Sequence, residues 1–116
     1  MQRNVKQNST PEMPWDMMMS GPKIPFTVSY HPDVKARDIP NINVDMRTRI
    51  RKAIETRLMI APHEYGEPLR KSLKGYWKMR VGDYRVVFKI LEEQILVLAI
   101  CHRKDVYSST EKRIHS

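Results

Sequence analysis

The sequence holds one cysteine, Cys101, and four glycines in 116 residues. A lone cysteine excludes a disulfide framework within the chain and a thiolate metal cluster, and it fits a reducing, cytoplasmic setting. With so little glycine there is no G-x-G-x-x-G turn and no G-x-x-x-x-G-K-[ST] loop, so two common phosphate cradles are missing. No apolar run approaches the length of about 18 residues that a transmembrane helix needs. Arg3 and Lys6 are followed by no apolar stretch, so they do not open a signal peptide. No grouping of His with carboxylates has metal-ligand spacing, and neither a metal nor any other cofactor is expected. Proline is absent after Pro68, which leaves the rest of the chain free to form sheet.

Apolar residues make up 41% of the chain, enough to bury one modest core in a single domain. The net charge is +8, and it is not spread evenly. Residues 1–46 balance five cations against five carboxylates, whereas residues 69–91 set seven cations against Asp83 alone. A clustered excess of this kind points to a polyanionic partner, either nucleic acid or an acidic protein. Residues 1–22, rich in Met and Pro without a period, are expected to form a flexible, dispensable extension ahead of a folded domain at 23–116.

Ile24, Phe26, Val28 and Tyr30 alternate as in a half-buried strand, and Pro25, without an N–H, belongs at an edge or at the strand's first residue. His31-Pro32-Asp33 breaks into a short helix ended by Pro40. Asn43 is a helix N-cap with Asp45 in the first turn. Ile50, Ala53, Ile54 and Leu58 then recur at helical spacing, with Arg47, Arg49, Arg51 and Lys52 mostly outward, until Pro62. Three β-like runs follow at 76–81, 84–90 and 95–101, and a short amphipathic segment closes the chain. The order predicts an α+β fold: two N-terminal helices packed on one face of a twisted, mostly antiparallel four-stranded sheet, with a short C-terminal helix.

Gly82-Asp83 separates the first two runs by two residues, the mark of a hairpin with a type II′ turn. That register sets Val81 opposite Tyr84, Arg80 opposite Arg85, Met79 opposite Val86, Lys78 opposite Val87 and Trp77 opposite Phe88. One face becomes core. The other collects Lys78, Arg80, Arg85 and Lys89 around Val87. Like charges directly opposed destabilise a hairpin; either a bound anion relieves them or the face is solvated and its cations splay into water. The apolar strand at 95–101 runs into His102, Arg103 and Tyr107 beside this face. Cys101 and His102 point to opposite faces, so they do not form a nucleophile–base pair, and Cys101 reads as a buried thiol.

The stretch Leu73-Lys74-Gly75-Tyr76-Trp77-Lys78-Met79-Arg80-Val81-Gly82-Asp83-Tyr84-Arg85-Val86-Val87-Phe88 resembles the RelE/ParE toxin superfamily of toxin–antitoxin modules. So does His102-Arg103-Lys104-Asp105-Val106-Tyr107, and Ser29-Tyr30-His31-Pro32-Asp33 and Glu67-Pro68-Leu69 also fit. The resemblance spans about residues 23–116 and implies the same fold. It implies a RelE-like toxin that cuts mRNA in the ribosomal A site without a metal. It also implies a cognate antitoxin, a toxin–antitoxin hetero-oligomer, a monomeric free toxin and no membrane association. By position the family's site residues fall on Lys78, Arg80, Arg85, Arg103 and Tyr107, with His102 beside them, and Arg80 stands where the family has a second lysine. Arg70, Lys71, Lys74, Lys89 and Lys104 are the expected nucleic-acid contacts. Arginines suit charge stabilisation, while Lys78 or His102 is left for proton transfer. Two alternatives stand beside this one: a ParE-like gyrase poison without nuclease activity, and a degenerate member that only binds its antitoxin.

Overall fold

The computed structural model describes residues 26–115; the expected extension at 1–22 lies outside them. Strand β1 (Thr27–Tyr30) leads into a π-helical turn (Val34–Asp38) and a 3-10 turn (Ile39–Asn41) that carries Pro40. Helix α1 (Val44–Ala53) starts where expected, because the Asn43 side chain accepts a hydrogen bond from the Met46 N–H at 2.8 Å. It widens into a π-helical segment (Ile54–Leu58), and Pro62 then opens the short helix α2 (Pro62–Tyr65). Next come β2 (Glu67–Pro68), a 3-10 turn (Lys71–Leu73), β3 (Trp77–Val81), β4 (Tyr84–Leu91) and β5 (Gln94–His102). A 3-10 turn (Arg103–Asp105) enters the last helix, α3 (Val106–Ile114).

Among the described residues the sheet has five strands in the order β1-β5-β4-β3-β2, with β1 parallel to β5 and the other pairs antiparallel. The strand beyond the four expected is β2. Two residues, one of them proline, carry no periodic signal in a sequence. The β3–β4 register is the predicted one in all five pairs. Gly82 has φ +60°, while Asp83 is not among the residues with positive φ, as a type II′ turn requires.

The main core lies between one face of the sheet and α1. Ile50, Ile54, Leu58, Met79, Val86, Phe88, Ile95 and Val97 are all buried there. Gly66 is needed at its rim, since a Cβ at that position would sit 2.7 Å from Phe88 Cζ. The opposite face departs from the expectation that helices pack on one side only. Leu69, Leu73, Val87, Ala99 and Val106 form a second, smaller core on it, under the 3-10 turn at Lys71–Leu73 and α3. Val87 is therefore fully buried instead of standing among solvated cations. The physical reason is the apolar stripe of Val106 and Ile114 on α3, which finds its partner in the apolar middle of this face.

A buried ion pair fastens α3. The β1 strand covers the outer edge of β5 only from Gln94 to Val97. Beyond it, Asp38 Oδ2 accepts the Ile100 N–H at 2.8 Å, and Arg113 Nη1 donates to Leu98 O at 3.1 Å. Arg113 Nη1 and Nη2 also bind Asp38 at 2.7 and 3.1 Å, and Asp33 lies 3.7 Å from Arg113 Nε. The hydrogen bond that Arg113 donates to Asp38 raises the pKa of Arg113 against the opposing effect of burial.

Candidate functional site

The tip of the β3–β4 hairpin gathers the arginines. Arg80 and Arg85 face each other across the register, on the face opposite the main core. Arg80 is exposed, and Arg85 is half-buried. Arg85 Nη1 donates to Gly82 O at 3.0 Å and to Tyr84 O at 2.9 Å, so the guanidinium folds back against the turn. Both bonds use the same nitrogen, which leaves the Nε–Nη2 edge of the fork without a partner among the described residues. Arg103 reaches the tip from the end of β5. Its N–H donates to Asp83 O at 2.9 Å, and its Nε lies 3.8 Å from Asp83 Oδ1.

Lys78 lies two residues from Arg80 along β3, on the same face. Its Nζ is 3.9 Å from Glu67 Oε1, a carboxylate delivered by β2. His102 is opposite Tyr84, so it belongs to the core face and not to Arg85's face. Its ring meets Tyr84 edge-on at 6.0 Å. His102 Nδ1 accepts the Lys104 N–H at 3.3 Å, which places the proton of a neutral ring on Nε2. The Tyr107 hydroxyl accepts the Arg70 N–H at 3.0 Å, tying α3 to the basic loop that also carries the exposed Lys71 and Lys74. Lys89 sits at the far end of the face, its Nζ 5.3 Å from the centre of the Tyr76 ring. The second core separates it from Arg85.

The expected site residues thus divide. Arg80, Arg85 and Arg103 come together at the tip, with Lys78 along the same strand face and Lys104 next in chain. Arg70, Lys71, Lys74 and Tyr107 form a second group along α3, and Lys89 stands apart. Cys101 faces the second core. Burial pushes its thiol up to about 11, with the carboxylates of Asp38 and Asp105 adding to the effect and Arg113 and Arg85 opposing it. A thiol so placed is protonated at neutral pH and is no nucleophile. Sequence reasoning missed Glu67 beside Lys78 and the Asp38–Arg113 pair. It placed Arg47, Arg49, Arg51 and Lys52 mostly outward and gave them no role.

A small α+β domain with arginines gathered at one hairpin tip defines a class of compact cationic proteins. Comparison with known proteins gives that class its family. The family model for the ParE toxin of type II toxin–antitoxin systems matches residues 30–107. Toxin RelG of Mycobacterium tuberculosis is 38% identical over 48 residues, which cover 40% of this chain and 55% of that toxin. Toxin RelE of the same organism is 31% identical over 74 residues, covering 62% of this chain and 76% of that toxin. The crystal structure of a RelBE toxin–antitoxin complex from Mycobacterium tuberculosis matches with a TM-score of 0.64 at 26% identity. That match covers 69% of this chain and all of the other. The chain belongs to the RelE/ParE superfamily and is a toxin of the type II toxin–antitoxin class.

Proposed function

We propose that this toxin is a ribosome-dependent mRNA endonuclease held in check by a cognate antitoxin. The observation that carries the reading is the directly opposed Arg80–Arg85 pair with Arg103 at the same tip. Three cations at one tip, of which Arg103 alone lies near the Asp83 carboxylate, cost stability, and a phosphate would relieve them. The similarity to toxins named RelE and RelG supports the same reading.

Cleavage without a metal proceeds by attack of the 2′-oxygen on the adjacent phosphorus. A P–O bond forms, the bond to the 5′-oxygen breaks, and the products are a 2′,3′-cyclic phosphate and a 5′-hydroxyl. The protein must take the 2′-proton, hold the charge that builds on the phosphorane and return a proton to the 5′-oxygen. Arg85, through its Nε–Nη2 edge, and Arg103 suit the second task, since a guanidinium stays charged and grips phosphate with two donors. Arg80 adds charge from the facing strand. Proton transfer falls to Lys78, which shares the arginine face, or to His102 through Nε2. Tyr107, about a third exposed, offers a ring for a base to stack on. Arg70, Lys71, Lys74 and Lys104 extend the positive surface, and Lys89 serves it only from a distance.

The antitoxin is expected to be amphipathic and acidic, and the toxin–antitoxin complex a hetero-oligomer. An apolar groove of about 460 Å³ beside α1 suits such a segment, with Tyr30, Ile39, Ile42 and Val44 in its wall and Lys35, Arg47 and Arg51 at its rim. Burial raises the pKa of the Tyr30 phenol there, and Glu55 adds to the rise.

Expression of the toxin alone is expected to arrest growth and translation, with relief on co-expression of the antitoxin. Because the matching family model is named for ParE, a supercoiling assay belongs in the same experiment. Arrest with inhibited gyrase and intact messages would transfer the assignment to a gyrase poison, and harmless expression would reduce the chain to an antitoxin binder.

A further inference from the structure

A second group of cations lies around the hairpin tip from the candidate site. The cleft between α1 and the β3–β4 turn has a volume of about 420 Å³, and Arg49, Lys52, Arg57 and Arg80 line it with no carboxylate among the described residues. Arg49, Lys52, Thr56 and Arg57 stand at helical spacing on one stripe, over a floor of the buried Ala53 and Val81. Among the described residues none of these four cations has an ion-pair partner, whereas the nearby Arg103 has Asp83 and Lys78 has Glu67. Arg57 lies over the Tyr65 ring at 5.7 Å, which holds its guanidinium in place.

The cleft is continuous with the candidate site through one glycine. A Cβ placed on Gly82 would lie 3.6 and 3.7 Å from the two terminal nitrogens of Arg49. The carbonyl of the same Gly82 accepts from Arg85. Arg49 and Arg85 therefore flank one turn residue from its two sides, and Arg80 borders both regions. From Arg49 to Arg57 the stripe runs about 12 Å along the helix, long enough for a stretch of backbone and not one phosphate. Little apolar surface lines the cleft, so an amphipathic helix would find little to bury there. The apolar groove on the other side of α1 offers what that kind of partner needs.

We propose that the cleft of Arg49, Lys52, Arg57 and Arg80 is a second anion-binding surface that holds the phosphate backbone of the RNA strand flanking the one in the candidate site. The assignment deepens the nuclease reading and rests on it for the identity of the polyanion. Its test needs neither a ribosome nor cleavage. The full chain is titrated with a fluorescent single-stranded RNA whose 2′-hydroxyls are all methylated, over a range of salt concentrations. In the variant Arg49→Gln/Lys52→Gln/Arg57→Gln, the slope of log affinity against log salt should shrink by about 2, since each phosphate contact on a single strand contributes about 0.7. Affinity at low salt should fall about tenfold or more. The charge-conserving variant Arg49→Lys/Arg57→Lys should keep the parental slope.

An unchanged slope in the glutamine variant overturns the proposal, and so does an equal loss in the lysine variant. Intact RNA binding with weakened binding of the antitoxin would give the cleft to the protein partner and overturn it as well. Should the triple variant melt early, Lys52→Gln alone, at an exposed helix position, reads the same effect. It should lose about 0.7 of slope, and no loss there overturns the assignment. A chain that shows the slope change yet leaves ribosome-bound message intact supports this surface and refutes the nuclease reading, so the two failures are distinguishable.

Discussion

Arg85 holds the turn with one nitrogen and presents the rest of its fork outward. From the sequence alone, its removal is expected to leave folding intact or to raise the melting temperature slightly, because a like-charge pair is relieved. The two bonds to Gly82 O and Tyr84 O reverse that sign. Arg85→Ala should cost about 1 kcal/mol in a urea melt, because two modest hydrogen bonds outweigh the relieved repulsion. It should lower cleavage about 10²-fold or more if the outward edge holds the transition-state phosphate. Arg85→Lys should rescue poorly, since a point charge does not replace the fork. A folded Arg85→Ala protein with full activity would show this face to be structural. Cys101 gives a prediction of a different kind. Its unfolded thiol titrates near about 8.5 and its folded thiol at about 11, so the folded state holds the proton more tightly. That stabilisation is fully present below the lower value and is lost as pH rises through the upper one. Stability of the parent should therefore fall more steeply than that of Cys101→Ala across this window. Parallel curves would show that the thiol is not held neutral by the fold.

Among the elements, the β3–β4 hairpin was legible in the sequence because a two-residue turn with glycine first permits one register. Helix α1 was legible because Asn43, Asp45 and the spacing of Ile50, Ile54 and Leu58 agree at every level. The strand β2 was not, since two residues have no period, and with it went the pairing of Glu67 with Lys78. The clamp on α3 was equally invisible, because Asp38 and Arg113 are 75 residues apart and meet only through the parallel placement of β1. Their side chains are 12% and 11% exposed, so a lone partner would be left in a poorly hydrated place. Asp38→Ala should cost about 3 kcal/mol or more, as breaking one side of a buried pair typically does. Asp38→Leu/Arg113→Met should recover much of that loss. A fall below about 1 kcal/mol in Asp38→Ala would show that α3 is held by its apolar stripe alone.

For the whole molecule, the sequence located the excess charge in residues 69–91 and the fold divides it. The second core splits the expected cationic face, moving Lys89 to one end and leaving the arginines at the other. The tip holds Arg103 from the turn after β5, as expected from the sequence, and borders Arg49 from α1, a contribution that only the folded chain brings. These arginines are proposed to serve phosphodiester cleavage of mRNA on the ribosome. The most direct measurement incubates the purified toxin with ribosomes carrying a defined message and maps both new ends, beside the same message without ribosomes. Cuts are expected only on the ribosome, at the decoding position, leaving a 2′,3′-cyclic or 3′-phosphate and a 5′-hydroxyl. Intact message on the ribosome, or cuts that leave a 3′-hydroxyl, would contradict it.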